Sequence, residues 1–188
     1  SLPLFDGNLT FSGKIAFPSF SCAGFSLTGT KGPRGNVVNL VVEKTTFGMC
    51  DIGRIEGVFS SEGDGYTGTL AFPFEGGRGS GTVRVFPTRA PMVFSGVVGV
   101  KGFNMESAVK RMNPEIVVTG TMNLDASFEA RGGDVAWEAR FENVPGKRFS
   151  QRLNIGAVKA LAHLGAGNVV GMVGGQNFYY RRCAGAVS

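Results

Sequence analysis

The chain consists largely of short runs in which apolar and polar residues alternate, separated by glycine, proline, asparagine or aspartate. Alternation with period two puts every second side chain on the same face, which is typical of β-strands with one dry and one wet side. A strict succession of strand and helix is absent, so the pattern favours an antiparallel meander over a parallel sheet. The predicted strands are Leu4–Phe11, Gly13–Phe17, Gly24–Thr30, Asn36–Glu43, Arg54–Phe59, Tyr66–Phe74, Thr82–Phe86 and Met92–Lys101.

The clearest predicted element is a β-hairpin from Met122 to Glu142 with a Gly132-Gly133 turn. Glycine tolerates the positive φ values that a two-residue turn requires. Pairing Arg131 with Asp134 across this turn sets apolar side chains of one arm against apolar side chains of the other, and a one-residue slip would destroy that agreement. In this register Phe128 faces Trp137, Leu124 faces Phe141, and Asp125 faces Arg140 on the wet side.

Helices are few, and most of them are predicted near the C-terminus. Asn104 is a suitable N-cap for the first helix, and Asn113-Pro114 ends it because the residue before proline disfavours helical torsion angles. In the second helix Ile155, Val158 and Leu161 share one face. The predicted helices cover Met105–Met112, Ile155–Leu164 and Asn168–Val173, and a last strand is predicted from Asn177 onward.

Phenylalanine and glycine dominate the composition. The chain has 16 phenylalanines against 3 tyrosines and 1 tryptophan, and a ring without a polar group belongs in a core, a lipid or a dry groove. The 30 glycines lack a collagen-like period and are expected to mark turns, bulges and strand kinks. Gly76–Gly81 invites a phosphate-loop interpretation, but Thr82–Phe86 behind it is strand-like and offers no helix N-terminus, so a hairpin loop is expected.

Charge and reactive side chains point away from nucleic acid and from catalysis. The net charge of +5 is scattered, so no nucleic-acid partner is expected, while an ordinary solvated surface or attraction to anionic lipid headgroups remains open. His163 is the only histidine, and Cys22, Cys50 and Cys183 lack the paired spacing of zinc ligands, so no metal site is expected. One disulfide is arithmetically possible among these cysteines, although three buried thiols are favoured. No pair of carboxylates stands out, and the chain is not expected to be an enzyme.

The apolar side of the predicted sheet has two interpretations that the residues leave open. It packs against a second sheet or the helices as an ordinary core, or it lines an open trough for acyl chains. Both arrangements need one dry face per sheet, so composition does not separate them.

Three segments in the last third of the chain form a recognisable series. In Phe141–Val158 a strand leads through a Lys/Gly-containing turn and a Gln-Arg-Leu-Asn segment into a short helix. Ala160–Gly167 looks like a helix followed by a glycine-rich break, and Asn177–Cys183 is similar to an aromatic–basic–Cys strand. In this order the segments resemble the C-terminal region of bacterial AsmA-like envelope proteins. Upstream the resemblance is looser. Leu4–Leu9 looks like the family's Leu-Phe-Gly-Gly strand opening, with Asp6 as a departure. Gly102–Met112 followed by Ile116–Leu124 resembles the family's unit of a helix followed by a Gly-x-Leu-x-Leu strand.

This resemblance implies a long, curled antiparallel sheet that forms an open groove or half-barrel with an apolar concave face, accompanied by two or three short helices. It implies a protein anchored in the inner membrane that reaches through the periplasm. Such a protein carries phospholipid or lipopolysaccharide-related lipid towards the outer membrane, or aids outer-membrane assembly. No cofactor and no covalent step are implied. Residues 1–188 are then expected to form a single β-rich domain, a piece of a longer envelope-spanning protein.

The chief rival hypothesis is a structural or interaction β-sandwich that docks a β-barrel assembly factor through an exposed edge strand. An adhesin-like surface domain is a third hypothesis. On the lipid hypothesis, Ile155, Val158 and Leu161 cap one end of the trough or contact the membrane or a partner. The residues expected to line or support the trough are Leu124, Phe128, Trp137, Phe141, Met122 and Val135.

Overall fold

Alternating apolar and polar residues produce a mainly β fold, as predicted from the sequence. The computed structural model describes residues 9–17, 20–32, 35–47, 50–132, 134–144, 151–154, 156, 178–179 and 184–187. Its elements in chain order are β1 (Leu9–Phe17), β2 (Phe20–Gly32), β3 (Gly35–Phe47), β4 (Cys50–Glu62), β5 (Gly65–Phe74), β6 (Gly77–Phe86), β7 (Val93–Asn104), α1 (Met105–Met112), β8 (Thr121–Arg131), β9 (Asp134–Asn143), β10 (Arg152–Leu153), β11 (Phe178–Tyr179) and β12 (Ala184–Val187).

Ten of these strands form one antiparallel sheet. Each strand from β1 to β9 pairs with the next one along the chain, and β12 adds to the outer edge of β9. Among the described strands the sheet is open, with β1 and β12 at its edges, while β10 and β11 form a separate pair. Consecutive antiparallel strands need only short connections, which explains the regular spacing of turn residues in the sequence.

The register gives the sheet an apolar face and a polar face, because directly opposed residues of antiparallel strands point to the same side. The apolar face carries the row Leu27, Leu40, Gly57, Leu70, Gly81, Val98, Ala126 and Ala139, together with the rows two residues to either side. The polar face carries the row Thr28, Asn39, Val58, Thr69, Thr82, Val97, Ser127 and Glu138.

Bulky side chains of the apolar face lie over glycines of the neighbouring strand. Phe72 of β5 is paired with Gly79 of β6, and a Cβ atom on Gly79 would overlap the phenylalanine ring. Leu70 is likewise paired with Gly57, where a Cβ atom would lie 2.7 Å from the leucine Cδ2 atom. The bulky group therefore rests on bare backbone and fills the gap that glycine leaves in a strand. The same pairing joins Phe25 with Gly13, Phe59 with Gly68, and Phe128 with Gly96.

The prediction that Gly76–Gly81 forms a hairpin loop is wrong for all but the first of these residues. The turn is confined to Glu75 and Gly76, whose φ values are 44° and 80°, and β6 begins at the next residue. The three glycines of β6 alternate with exposed polar residues, so all three lie on the apolar face. An added Cβ atom would meet the Phe72 ring at Gly79 and the backbone of the neighbouring strand at Gly77, so these glycines serve close packing rather than the turn.

One added methyl group at Gly79 is expected to destabilise the sheet. Gly79→Ala should lower the free energy of unfolding by about 1–3 kcal/mol, because the Phe72 ring must leave its position. Gly24→Ala is the matched control, since the nearest atom to its new Cβ would be 3.8 Å away, and we expect it to be neutral or slightly stabilising. Urea unfolding followed by circular dichroism measures both variants. Equal stability of the two would contradict the packing role of Gly79.

The hairpin predicted between Met122 and Glu142 is confirmed together with its register. On the polar side of the hairpin, the side-chain hydrogen bonds do not join the residues that lie directly opposite each other. The Asp125 carboxylate accepts hydrogen bonds from Lys101 of β7 at 3.2 Å. Arg140 donates to Glu138 of its own strand at 3.0 and 3.1 Å. The apolar pairs therefore determine the register. The confirmed pairs are Arg131 with Asp134, Phe128 with Trp137, Leu124 with Phe141, and Asp125 with Arg140.

Helix α1 begins and ends where the sequence predicts. The Asn104 side chain accepts hydrogen bonds from the N–H groups of Glu106 at 2.9 Å and Ser107 at 3.2 Å, as an N-cap does. A hydrogen bond from Lys110 and the charge of that residue hold the pKa of Glu106 below its usual value. Asn113 ends the helix in extended conformation, as a residue before proline prefers.

Helix α1 is tied to the turn between β5 and β6. The Asn104 N–H donates to the Glu75 carbonyl oxygen at 2.8 Å, and the Arg111 guanidinium lies 3.4 Å from the Glu75 carboxylate. The Glu75 side chain is only 4% exposed, and a buried charge requires an oppositely charged partner. This ion pair therefore holds the last turn of α1 against one end of the sheet.

Gln151–Asn154, here called the clasp, binds the segment between α1 and β8. The Asn154 carboxamide accepts a hydrogen bond from the Val117 N–H at 3.1 Å and donates to a backbone carbonyl at 2.7 Å. The buried Gln151 accepts from the Asn143 carboxamide at 2.8 Å and donates to a backbone carbonyl at 2.6 Å. The polar residues of the Gln-Arg-Leu-Asn segment thus have a structural role at the end of β9.

Loss of the Asn154 carboxamide is expected to loosen the clasp. Asn154→Ala should lower the free energy of unfolding by about 1–3 kcal/mol, because the Val117 N–H and the Glu115 carbonyl both lose their partner. Asn154→Asp keeps an acceptor for Val117 but sets an oxygen against the Glu115 carbonyl, so it should restore at most part of the loss. Asn39→Ala, at an exposed position of the polar face, is the control and should change stability by less than about 0.5 kcal/mol.

The prediction of two or three helices, mostly near the C-terminus, is not borne out. The part of the chain that the structure describes contains α1 as its one continuous helix, and α1 precedes β8. The helices predicted over Ile155–Leu164 and Asn168–Val173 fall on residues outside the described ranges, Gly156 excepted, as do residues 4–8 of the first predicted strand. No helix within the described ranges has the length and apolar character needed to cross a membrane.

Candidate functional site

The apolar face is the candidate site because, within the described ranges, many of its bulky side chains are partly exposed and no second extended sheet accompanies it. All described strands except the short pair β10 and β11 belong to this one sheet. Most of its bulky side chains are half-buried, whereas Val135 and Trp137 are 62% and 49% exposed. The core between two packed sheets would bury such side chains almost completely. The described part of this face is therefore accessible from one side.

One end of the apolar face is closed by α1. Val100, Phe103, Ala108 and Met122 form a buried cluster there, with Met122 only 1% exposed. The Phe74 ring meets the Phe103 ring edge to face, with the centroids 5.5 Å apart. The opposite end, towards the turn between β8 and β9, carries the two exposed apolar side chains of β9. The face is thus a dry surface closed at one end and open at the other.

The hairpin brings together the residues that the sequence predicts to line or support a trough. Phe128 lies directly opposite Trp137, and Leu124 lies directly opposite Phe141, in two rows of the apolar face. Met122 lies deeper, in the cluster with α1, and supports the face from its closed end. Val135 lies next to the turn on the same face. The residues predicted to cap one end, Ile155, Val158 and Leu161, lie outside the described residues.

Sequence analysis missed the larger part of this face, which lies on β2 to β6. Phe25, Phe59 and Phe72 each occupy the same kind of position over a glycine. A signal was present in the sequence, because the glycines of β6 recur at every second residue. Period-two spacing marks one face of a strand whichever residue type carries it. From the sequence the glycines are assigned to turns, bulges and strand kinks, and none of these roles identifies a glycine that lies beneath a ring.

The strands bend at the end of the sheet that carries α1. Within the described strands, register shifts occur in the last part of β1, β3 and β7, all at that end. An inserted residue bends a strand and increases its local twist. The closed end of the apolar face therefore departs from a regular ladder. The shifts fall between Gly13 and Ile15, between Val42 and Thr46, and between Val100 and Phe103.

A depression of about 660 Å³ lies on the polar face and extends from β5 to β9. Its lining includes the hydroxyl side chains of Thr69, Thr82 and Ser127 and the charged side chains of Asp125 and Arg140. A twisted sheet is saddle-shaped, so a hollow on one face does not exclude a hollow on the other. Leu70, Val97, Val98 and Ala126 also line it, so polar and apolar side chains share this depression.

The described residues contain no reactive constellation that competes with the apolar face for a function. No group of three His, Cys, Asp or Glu side chains among them is placed to hold a metal ion. Cys22 is a buried free thiol, and His163 and Cys183 fall outside the described residues. What these residues offer is a largely apolar surface, interrupted at the start of β3 by Asn36 and its neighbour Ser61.

Comparisons with known proteins do not identify a relative: no family model, no curated protein and no solved structure matches the chain.

Proposed function

We propose that the apolar face binds the acyl chains of lipids, as a non-catalytic lipid-binding segment of an AsmA-like protein of the bacterial cell envelope. The observation that carries the proposal is the partly exposed apolar face, closed at one end by α1. The resemblance of Phe141–Val158 to AsmA-like proteins supports a place in the periplasm, with an inner-membrane anchor in a longer protein. The cargo is a phospholipid or another acyl lipid that moves between the inner and outer membranes.

Burial of the acyl chain supplies the driving force for binding. Each methylene group gains about 0.8 kcal/mol when it leaves water. Rings that lie over glycines present a half-exposed apolar surface, so contact with an acyl chain removes water from both partners. The lipid headgroup remains in water at the open side, and the net charge of +5 favours anionic headgroups.

The proposal requires the sheet to curl so that its apolar face becomes concave. A concave face covers more of the circumference of an acyl chain than a flat one. Two features support a curl. Large twisted sheets tend to coil as strands are added, and three strands carry register shifts at the same end. On this proposal α1 blocks the closed end and cargo enters from the other.

A charge on the apolar face is expected to abolish lipid binding. In Phe128→Glu a carboxylate replaces the ring over Gly96, and an acyl chain that covered it would strip its water. We expect the amount of lipid in organic extracts of the purified protein, measured by mass spectrometry, to fall at least about tenfold. The loss of four methylene contacts, at about 0.8 kcal/mol each, would weaken lipid binding by more than that. Uptake of a fluorescent phosphatidylethanolamine from vesicles provides a second measurement with the same expected result.

Two further variants separate binding from folding. Val97→Glu adds the same charge to the polar face of the adjacent strand, where Val97 is 58% exposed, and should leave lipid levels unchanged. Phe128→Leu keeps the face apolar and should retain most of the lipid. Equal lipid loss in Val97→Glu and Phe128→Glu would contradict the proposal. A wild-type protein without lipid, combined with a Phe128→Glu variant that unfolds, would favour the structural or interaction module instead.

A further inference from the structure

The apolar face ends in polar side chains on four neighbouring strands at its open end. Lys31 of β2 is paired with Asn36 of β3, and Ser61 of β4 is paired with Tyr66 of β5. The Asn36 N–H donates a hydrogen bond to the Ser61 hydroxyl at 3.0 Å, which joins the two pairs. Each of the four residues lies an even number of positions from a leucine or phenylalanine of its own strand, so all of them belong to the apolar face. We call these four residues the polar rim.

The polar rim is confined to one half of the open end. In the row of Ser61 and Tyr66, the positions on β6 to β9 are all apolar, so a polar and an apolar half meet between β5 and β6. An amphiphilic ligand requires such a boundary, because its headgroup and its acyl chains are stable in different surroundings. The apolar residues of this row are Val85, Phe94, Ala130 and Val135.

Asn36 breaks the pattern of its own strand. The residue is 5% exposed, and its Oδ1 atom is buried without a hydrogen-bond partner. An unpaired acceptor in a buried position destabilises a fold, whereas an aliphatic residue there would continue the alternation of Val38, Leu40 and Val42. A residue that breaks a local rule at a cost in stability is expected at a functional site. Within the polar rim, Asn36 therefore points most directly to a ligand.

The chemistry of the polar rim matches a phospholipid headgroup. The Ser61 oxygen accepts from Asn36, so its O–H group remains to donate, and the Tyr66 hydroxyl is a second donor. Both donors suit the oxygens of a phosphate, and the Lys31 ammonium adds positive charge beside them. The Asn36 oxygen has the opposite requirement, which is a donor. Because the terminal torsion of asparagine has a broad minimum, a small rotation turns this oxygen towards a ligand.

The strand spacing suits the distance between the two polar groups of such a headgroup. Adjacent strands lie about 4.8 Å apart. In phosphoethanolamine, one oxygen and two carbon atoms separate the phosphorus from the nitrogen. A phosphate bound at Ser61 and Tyr66 therefore leaves the ammonium group within reach of Asn36 on the neighbouring strand.

On the basis of the lipid binding proposed above, we propose that the polar rim binds the headgroup of the lipid, and that Asn36 selects headgroups with an N–H or O–H donor next to the phosphate. Phosphatidylethanolamine carries such a donor, whereas the trimethylated nitrogen of phosphatidylcholine carries none. A site that pairs a buried polar group with its ligand rejects an analogue that lacks the partner. The acyl chains then lie over the apolar surface towards α1.

A competition between lipids with identical acyl chains tests the selection. The purified chain is incubated with vesicles that contain equal amounts of dioleoylphosphatidylethanolamine, its N,N-dimethyl derivative and dioleoylphosphatidylcholine, and the bound lipids are quantified by mass spectrometry. All three headgroups are zwitterionic, so neither net charge nor acyl burial affects the ratio. The first two lipids should each be enriched at least about fivefold over the third, because both retain an N–H donor. Equal binding of all three, or a dimethyl lipid bound as weakly as phosphatidylcholine, would overturn the proposal.

Three variants test the assigned roles. Asn36→Leu should abolish the enrichment without loss of total bound lipid, and should be at least as stable as the wild type in urea, because it removes a buried unpaired acceptor. Asn39→Leu makes the same change at an exposed position of the polar face and should keep the enrichment. Tyr66→Phe should lower all three phospholipids alike, by about threefold, but not dioleoylglycerol, which has no phosphate. Enrichment that persists in a folded Asn36→Leu protein would exclude the selective role of Asn36.

Failure of the selection and failure of lipid binding give different results. If the wild type binds neither the phospholipids nor dioleoylglycerol, the lipid-binding proposal is wrong and the selection is wrong with it. If the wild type binds all three phospholipids equally and Phe128→Glu loses them, lipid binding is supported and the selective polar rim is wrong. Enrichment that Asn36→Leu abolishes and Asn39→Leu retains supports both proposals.

Discussion

The contact between a phenylalanine ring and a glycine of the neighbouring strand recurs across the apolar face. The pairs of Phe72 with Gly79 and Phe59 with Gly68 show the same arrangement in different parts of the sheet. Neither residue type is stable alone in such a position, because glycine weakens a strand and an upright ring leaves its own sides exposed to water. Together they give a strand with full backbone pairing and a low apolar surface. Four of the phenylalanines and four of the glycines are used in this contact.

The rest of the described structure sets the limits of that surface. Helix α1 closes one end, held by its Asn104 cap and by the ion pair between Glu75 and Arg111. The clasp ties the segment after α1 to the end of β9, through Asn143 and Gln151. These polar contacts lie at the closed end. At the start of β3 the Asn36 N–H donates to the Ser61 hydroxyl in another row of the same face, so the part suited to an acyl chain, without directional bonds, is the apolar surface between the two ends.

The sequence predicts those parts of the fold that depend on neighbours along the chain. Alternation over Met122–Glu142 predicts the register of β8 and β9, and Asn104 predicts the start of α1, because both signals are local. The pairing of Phe72 with Gly79 escapes such analysis, since it becomes visible only when the strand partners are known. The clasp also escapes it, because a two-residue strand has no period. The candidate site was therefore predicted on the hairpin and missed on β2 to β6, where glycine interrupts the apolar alternation.

The meander has a further consequence for how this architecture changes in size. Backbone pairing joins each strand only to its neighbours in the strand order, so the stability of the strands away from α1 is approximately a sum of nearest-neighbour terms, as in repeat proteins. Insertion or deletion of one hairpin there widens or narrows the sheet by about 10 Å and leaves the buried cluster of Val100, Phe103, Ala108 and Met122 in place. The number of hairpins therefore determines the width of the apolar face. Duplication or deletion of gene segments can change that number one hairpin at a time.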